Sequence, residues 1–233
     1  MNTVAARFAA ERRFYLAAAI GIVIVVLAGF SIDLDLLSDM SSLSALVRLH
    51  GLVMFGWIAL FVTQTVLVAR HRVDWHRRLG VFGAALAALI VIADTATVIV
   101  AARLGGNHLP PGIAVPLFVA FSFLDLLSFA ILVSSAVGLR SRSDWHKRLM
   151  LLATILVLDA ALARFISAYT SWKLDPSVAR NALVLLCIAI DAWRYRRLHP
   201  AFIAGGLLVF VTDPLARMVA ALPVWTRFCA WLG

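Results

Sequence analysis

The chain has 233 residues, of which 63% are hydrophobic and only 14% charged, with a mean hydropathy of +0.97. Soluble domains run near ~45–50% apolar and ~25% charged, so the composition excludes a water-soluble globule, a disordered chain and a disulfide scaffold. The net charge of +9 (21 Lys and Arg against 12 Asp and Glu), with so little polar surface to carry it, indicates membrane flanks and no nucleic-acid partner.

A span needs ~20 predominantly apolar residues to cross a ~30 Å hydrocarbon core. Seven stretches meet or approach that length: about 14–37, 43–69, 79–102, 113–139, 149–170, 178–193 and 200–222. The expected fold class is therefore all-α, a polytopic membrane bundle of seven transmembrane helices forming a single transmembrane domain over 1–233, with 1–13 as a cytoplasmic N-terminus. The first apolar run follows Arg7, Arg12 and Arg13 and exceeds the ~7–15 residues of a signal-peptide core, which makes it a retained anchor. It bears no charged residue in its apolar core, so it is expected at the periphery. Lys and Arg in short loops set orientation. The N-terminus and the segments 70–78, 140–148 and 194–199 hold 3, 4, 4 and 3 of them, whereas the other side holds Arg103, Lys173, Arg180 and Arg227, beside the acidic Asp33, Asp35 and Asp39. The expectation is N-in/C-out in a bacterial inner membrane, with anionic lipids at the cytoplasmic loops as partners.

An internal repeat organises the hairpins. RHRVDWHRRLG at 70–80 and RSRSDWHKRLM at 140–150 match at seven of eleven positions, and RYRRLHP at 194–200 is a looser third copy. The chain thus reads as one helix plus three parallel hairpin repeats. Asp74 and Asp144 suit helix N-caps, and Pro200 suits a first turn. Trp75, His76, Arg78, Trp145, His146 and Arg148 are expected at the lipid interface, where aromatic rings and basic groups meet head groups.

Counting from the loop histidines places the charges of the spans. Eighteen residues beyond His76, His146 and His199 stand Asp94, Arg164 and Arg217, and His50 enters from the opposite side to a similar level. Asp125, Asp159 and Asp213 lie nearer the midplane. A charge at mid-bilayer costs roughly 2.5–3.5 kcal/mol on translocon scales, so these side chains are expected to turn inward onto a polar cluster open to the outside. Two arginines cannot neutralise four aspartates, and surplus intramembrane acid marks a path or site for a proton or ion. The expected function is binding or moving a proton, ion or small anion, with His50, Asp94, Asp125, Asp159, Arg164, Asp213 and Arg217 as the candidate site. No cofactor is required by the sequence.

Two alternatives stand beside it. His50-Gly51-Leu52-Val53-Met54-Phe55 resembles the histidine segment that supplies a haem ligand in haem-copper oxidases, which implies haem at His50; His50 with two aspartates also suits a divalent metal. Seven-helix zinc hydrolases of the adiponectin-receptor and ceramidase kind combine intramembrane His and Asp, although their H-x-x-x-H pair is replaced here by Asp213 and Arg217. Short loops and small-residue faces such as Ala84-Ala85 and Ala160-Ala161 fit an accessory subunit of a larger membrane complex, or a homo-oligomer. The W-H-R/K-R-L loops resemble those of bacterial seven-helix inner-membrane proteins of uncharacterised activity, a resemblance that implies the topology and no chemistry.

Overall fold

The computed structural model describes residues 2–31, 44–105, 109, 112–170 and 174–232, with side chains from Phe8 onward. Asp33, Asp35, Asp39 and Lys173, named in the topology above, lie outside the described residues. Helix makes up 88% of the structure, and no strand occurs among the described residues. In chain order the helices are α1 Asn2–Phe30, α2 Ala45–Ala69, α3 Val73–Leu104, α4 Val115–Gly138, α5 Ser143–Leu156, α6 Asp159–Tyr169, α7 Pro176–Tyr195, α8 Pro200–Ala220 and α9 Pro223–Leu232. Six of them are long and apolar enough to cross a membrane, and the α5–α6 pair makes a seventh span if counted as one.

That pair is the main departure from the expected elements. The stretch 149–170 is not one straight helix: α5 and α6 meet at Val157-Leu158 with a bend of 48°. Neither Pro nor Gly lies at the break, so the usual local causes of a kink are absent. Packing supplies a partner for the bent half. At Gly29 of α1 an added Cβ would come within 2.2 Å of the Ala161 carbonyl oxygen, so α1 and α6 touch backbone to backbone at a position open only to glycine. The bend delivers α6 onto α1.

The repeat loops form helix starts, with a correction. Asp74 and Asp144 are not the caps: Arg72 and Arg142 hold those positions without side-chain bonds, and the aspartates fall in the first turns of α3 and α5, where they face the positive helix end. In the third hairpin the cap is His199, whose Nδ1 accepts from the Ala201 amide at 3.1 Å just ahead of Pro200 at the start of α8.

The core runs through every hairpin. Tyr15, Ala19, Ile22 and Val26 make one buried stripe on α1, with Ile20, Ile24 and Leu27 exposed on its other side, the pattern of a helix between protein and lipid. Trp57 of α2 meets Phe129 of α4 edge to face at 5.1 Å. Gly205 of α8 brings that backbone against Leu132, Leu149 and Leu152. The last helix, α9, was not anticipated. It packs on α3 and α4 through Trp225, Cys229 and Leu232. The Trp225 indole donates to the Pro116 carbonyl at 2.9 Å, and Arg103 donates to the Leu232 carbonyl at 3.0 Å.

Candidate functional site: three aspartates on one arginine

Asp125 stands ten residues past Val115 of α4, about 15 Å along that helix at ~1.5 Å per residue. Asp159 opens α6 at the break, and Asp213 lies seven residues before the end of α8. These three carboxylates, expected nearer the midplane than Asp94, Arg164 and Arg217, come together. The residue that gathers them is Arg180 of α7, which the charge count had assigned to the outer surface. Arg180 is wholly buried at 0% exposure. Its Nη1 donates to Asp159 Oδ2 at 2.5 Å and to Asp125 Oδ1 at 3.3 Å, and its Nη2 donates to Asp213 Oδ2 at 2.5 Å. Four helices thus meet through one guanidinium, whose fork of donors suits several carboxylates at once.

The backbone is irregular at two of the three acids. Asp159 begins a helix just past the bend, where the helix N-terminus favours a negative charge. Asp213 precedes Pro214, which lies inside α8 and cannot supply the amide that the Phe210 carbonyl would receive in an unbroken helix. Ser177 and Asn181 of α7 neighbour the Asp213 carboxyl. Toward the surface, Asp175 caps α7 by accepting from the Ser177 amide at 3.0 Å, and it takes a bond from Arg217 Nη2 at 2.6 Å. Both members of that pair are exposed by about half, at 54% and 41% for their side chains.

The other expected members lie elsewhere. His50 Nδ1 and Asp94 Oδ1 are 2.6 Å apart, pairing α2 with α3. Arg164 donates to the Ala160 carbonyl at 3.2 Å, and its guanidinium lies over the Phe30 ring at 4.6 Å. The proposed sevenfold pocket therefore resolves into an Arg180 cluster, a His50–Asp94 pair and an outer Arg217–Asp175 pair. No grouping of three or more His, Cys, Asp or Glu able to hold a metal ion occurs among the described residues. Among the described residues the carboxylate bonded to His50 is that of Asp94.

At the opposite ends of α5 and α7 sits a different arrangement. Arg148 pairs bidentately with Asp191 at 2.7 and 3.2 Å, both side chains 3% exposed, and it donates to the Asp144 carbonyl at 2.8 Å. Its guanidinium lies against the Tyr195 and Phe202 rings at 5.2 and 5.7 Å. Arg148 was expected at the lipid interface; it is sealed inside because Asp191 faces it from α7. Lys147 and the Tyr195 hydroxyl both bond Glu11 of α1, and His199 Nε2 meets Asp144 Oδ2 at 3.0 Å. Of the other interface residues, Trp75 is exposed with Arg78 over its ring at 5.6 Å. His76 lies edge-on to His146 at 6.1 Å, His146 Nδ1 is 2.9 Å from the Ala136 carbonyl, and Trp145 packs on His199 at 5.7 Å. Only Trp75 and Arg78 of that set face fully outward.

Between the two polar regions the buried side chains are mostly apolar, and the hydroxyls of Ser128, Thr154 and Thr212 there are bonded to one another or to helix carbonyls. Leu132 on α4, Leu151 and Leu152 on α5, Val184 on α7 and Val209 on α8 are all buried. The Arg180 cluster is thus walled from the Arg148 end by packed side chains. Comparison with known protein families, with curated proteins and with solved structures found no match to the chain. The fold is that of a multi-pass helical membrane protein, with a charged cluster inside it.

Proposed function

We propose that the protein is a multi-pass component of a bacterial inner membrane, oriented N-in/C-out, that binds or moves a proton or small ion at the Arg180 cluster. The observation that carries the reading is the charge balance: Asp125, Asp159 and Asp213 all lie within 3.3 Å of a single guanidinium. Three acids share one cation, so two of them lack a counter-charge of their own, and intramembrane acid in such excess is retained for function. Irregular helices at a mid-depth ionic site are a recurrent feature of transporters, and the α5–α6 bend and Pro214 fit that pattern. The same balance argues against a small anion, because Arg180 is already shared among three acids.

The orientation rests on the fourteen Lys and Arg of the N-terminus and the three basic loops, in keeping with the positive-inside rule. It puts Asp175, Arg217 and α9 on the outer side. Flux in proteoliposomes tests the function. Vesicles of the full chain carrying an internal pH dye, under an imposed ion or proton gradient, are expected to change signal, and Asp125→Asn is expected to suppress the change. Equal flux in the two proteins would overturn the role of that carboxyl.

A further inference from the structure

The Arg180 cluster contains polar atoms that its own contacts leave unsatisfied. Arg180 is wholly buried, yet its Nε has no hydrogen-bond partner among the described residues, and the same holds for the buried Asp159 Oδ1 and Asn181 Oδ1. One donor and two acceptors are therefore unmet on side chains of a single site. Buried polar groups are normally paired, with protein or with ordered water, so the pattern of unmet atoms describes what belongs there.

The charged groups facing the site are taken among the described residues. Asp125 comes from α4, Asp159 from α6, Asp213 from α8, and Arg180 from α7, with Asp175 at the cap of α7. The other cation of α8, Arg217, is bonded outward to Asp175, and Arg164 of α6 lies over Phe30. A bare metal ion satisfies acceptors only, is repelled by the guanidinium, and finds no donor set of three among the described residues. Water supplies a donor and an acceptor together, and water that carries a proton also corrects the charge.

We propose, resting on the reading above, that the species exchanged at this site is the proton, delivered by water bonded to Arg180 Nε, Asp159 Oδ1 and Asn181 Oδ1, with Arg180 as the tethered counter-cation of the three carboxylates. Each step is a proton transfer alone. An O–H bond forms on a carboxylate oxygen as one breaks in the protonated water, the water is regenerated, and the cluster gains one positive charge. Exchange takes place with the face bearing Asp175 and Arg217, since packed side chains, Leu132, Leu151, Leu152, Val184 and Val209 among them, close the other direction.

Infrared difference spectra of the full chain in liposomes, recorded across pH in sodium, potassium, ammonium or choline chloride, test this. The expected result is a protonated-carboxyl band that titrates identically in all four salts. It loses one component in Asp125→Asn and one in Asp159→Asn, and is unchanged in Asp74→Asn, whose exposed side chain lies at the other end of the bundle. Absence of a titrating band in the unaltered chain overturns the proposal, and so does its displacement by sodium, potassium or ammonium; neither depends on a variant folding. The flux assay separates the two readings. A titrating, salt-indifferent band without flux keeps the proton assignment and removes transport, whereas flux with a band displaced by one cation keeps transport and removes the proton.

Discussion

Arg148 and Arg180 are both buried guanidiniums held by aspartates of neighbouring helices, and the two sites differ in one number. Arg148 has one acid, Asp191, in a bidentate pair with aromatic rings at 5.2 and 5.7 Å. Arg180 has three acids. The first site matches one acid to one base, while the second has two acids beyond its single base and unmet atoms. A complete pair fixes helices relative to one another. An incomplete one has something to exchange.

The strongest test of that contrast removes each cation. Arg180→Leu strands three carboxylates and is expected to cost at least the ~3–5 kcal/mol seen when a buried pair loses one partner, read as a large drop in the unfolding midpoint in detergent. Arg148→Met is expected to cost a similar ~3–5 kcal/mol but to be largely restored by Asp191→Leu in the same chain, because a balanced pair can be exchanged for apolar packing. Failure of that rescue would mean that the inner pair is more than a clamp.

Neutralising one acid gives a difference in sign. Asp191→Asn leaves Arg148 without its counter-charge and is expected to destabilise. Asp125→Asn relieves part of the surplus around Arg180 and is expected to change stability by less than ~1 kcal/mol, or to raise it, while suppressing flux; removing a buried charge that lacks a full partner carries little penalty. A loss as large as that of Asp191→Asn would erase the distinction between the sites. The smallest effect is expected at the surface, where Arg217→Gln breaks an exposed pair worth ~0–1 kcal/mol and the unfolding midpoint barely moves.

The long apolar helices were legible because apolar run length follows from the bilayer itself, whereas the matching depth counted for Asp94, Arg164 and Arg217 did not bring those three together. Arg180 was misassigned, although it falls inside the stretch 178–193. A cation one turn into a helix counts toward loop charge, yet its long side chain can reach down to acids that lack a partner. Three uncompensated aspartates were the available signal. Arg148 illustrates the limit of the repeat: Arg78 and Arg148 occupy the same motif position, but α3 leaves its copy exposed while Asp191 draws the other inward. Only tertiary neighbours separate them. The α5–α6 break has no Pro or Gly to announce it and follows from the meeting with α1. The aspartate caps failed because backbone geometry placed the caps two residues earlier, at Arg72 and Arg142.

The close approach of Gly29 to Ala161 has a bearing on biogenesis. In chain order α1 is made before this neighbour, with α2, α3, α4 and α5 between them. Contact between α1 and α6 must then wait for the helices between them, and a bulky residue at Gly29 would be felt as chains that insert normally yet remain open to proteolysis.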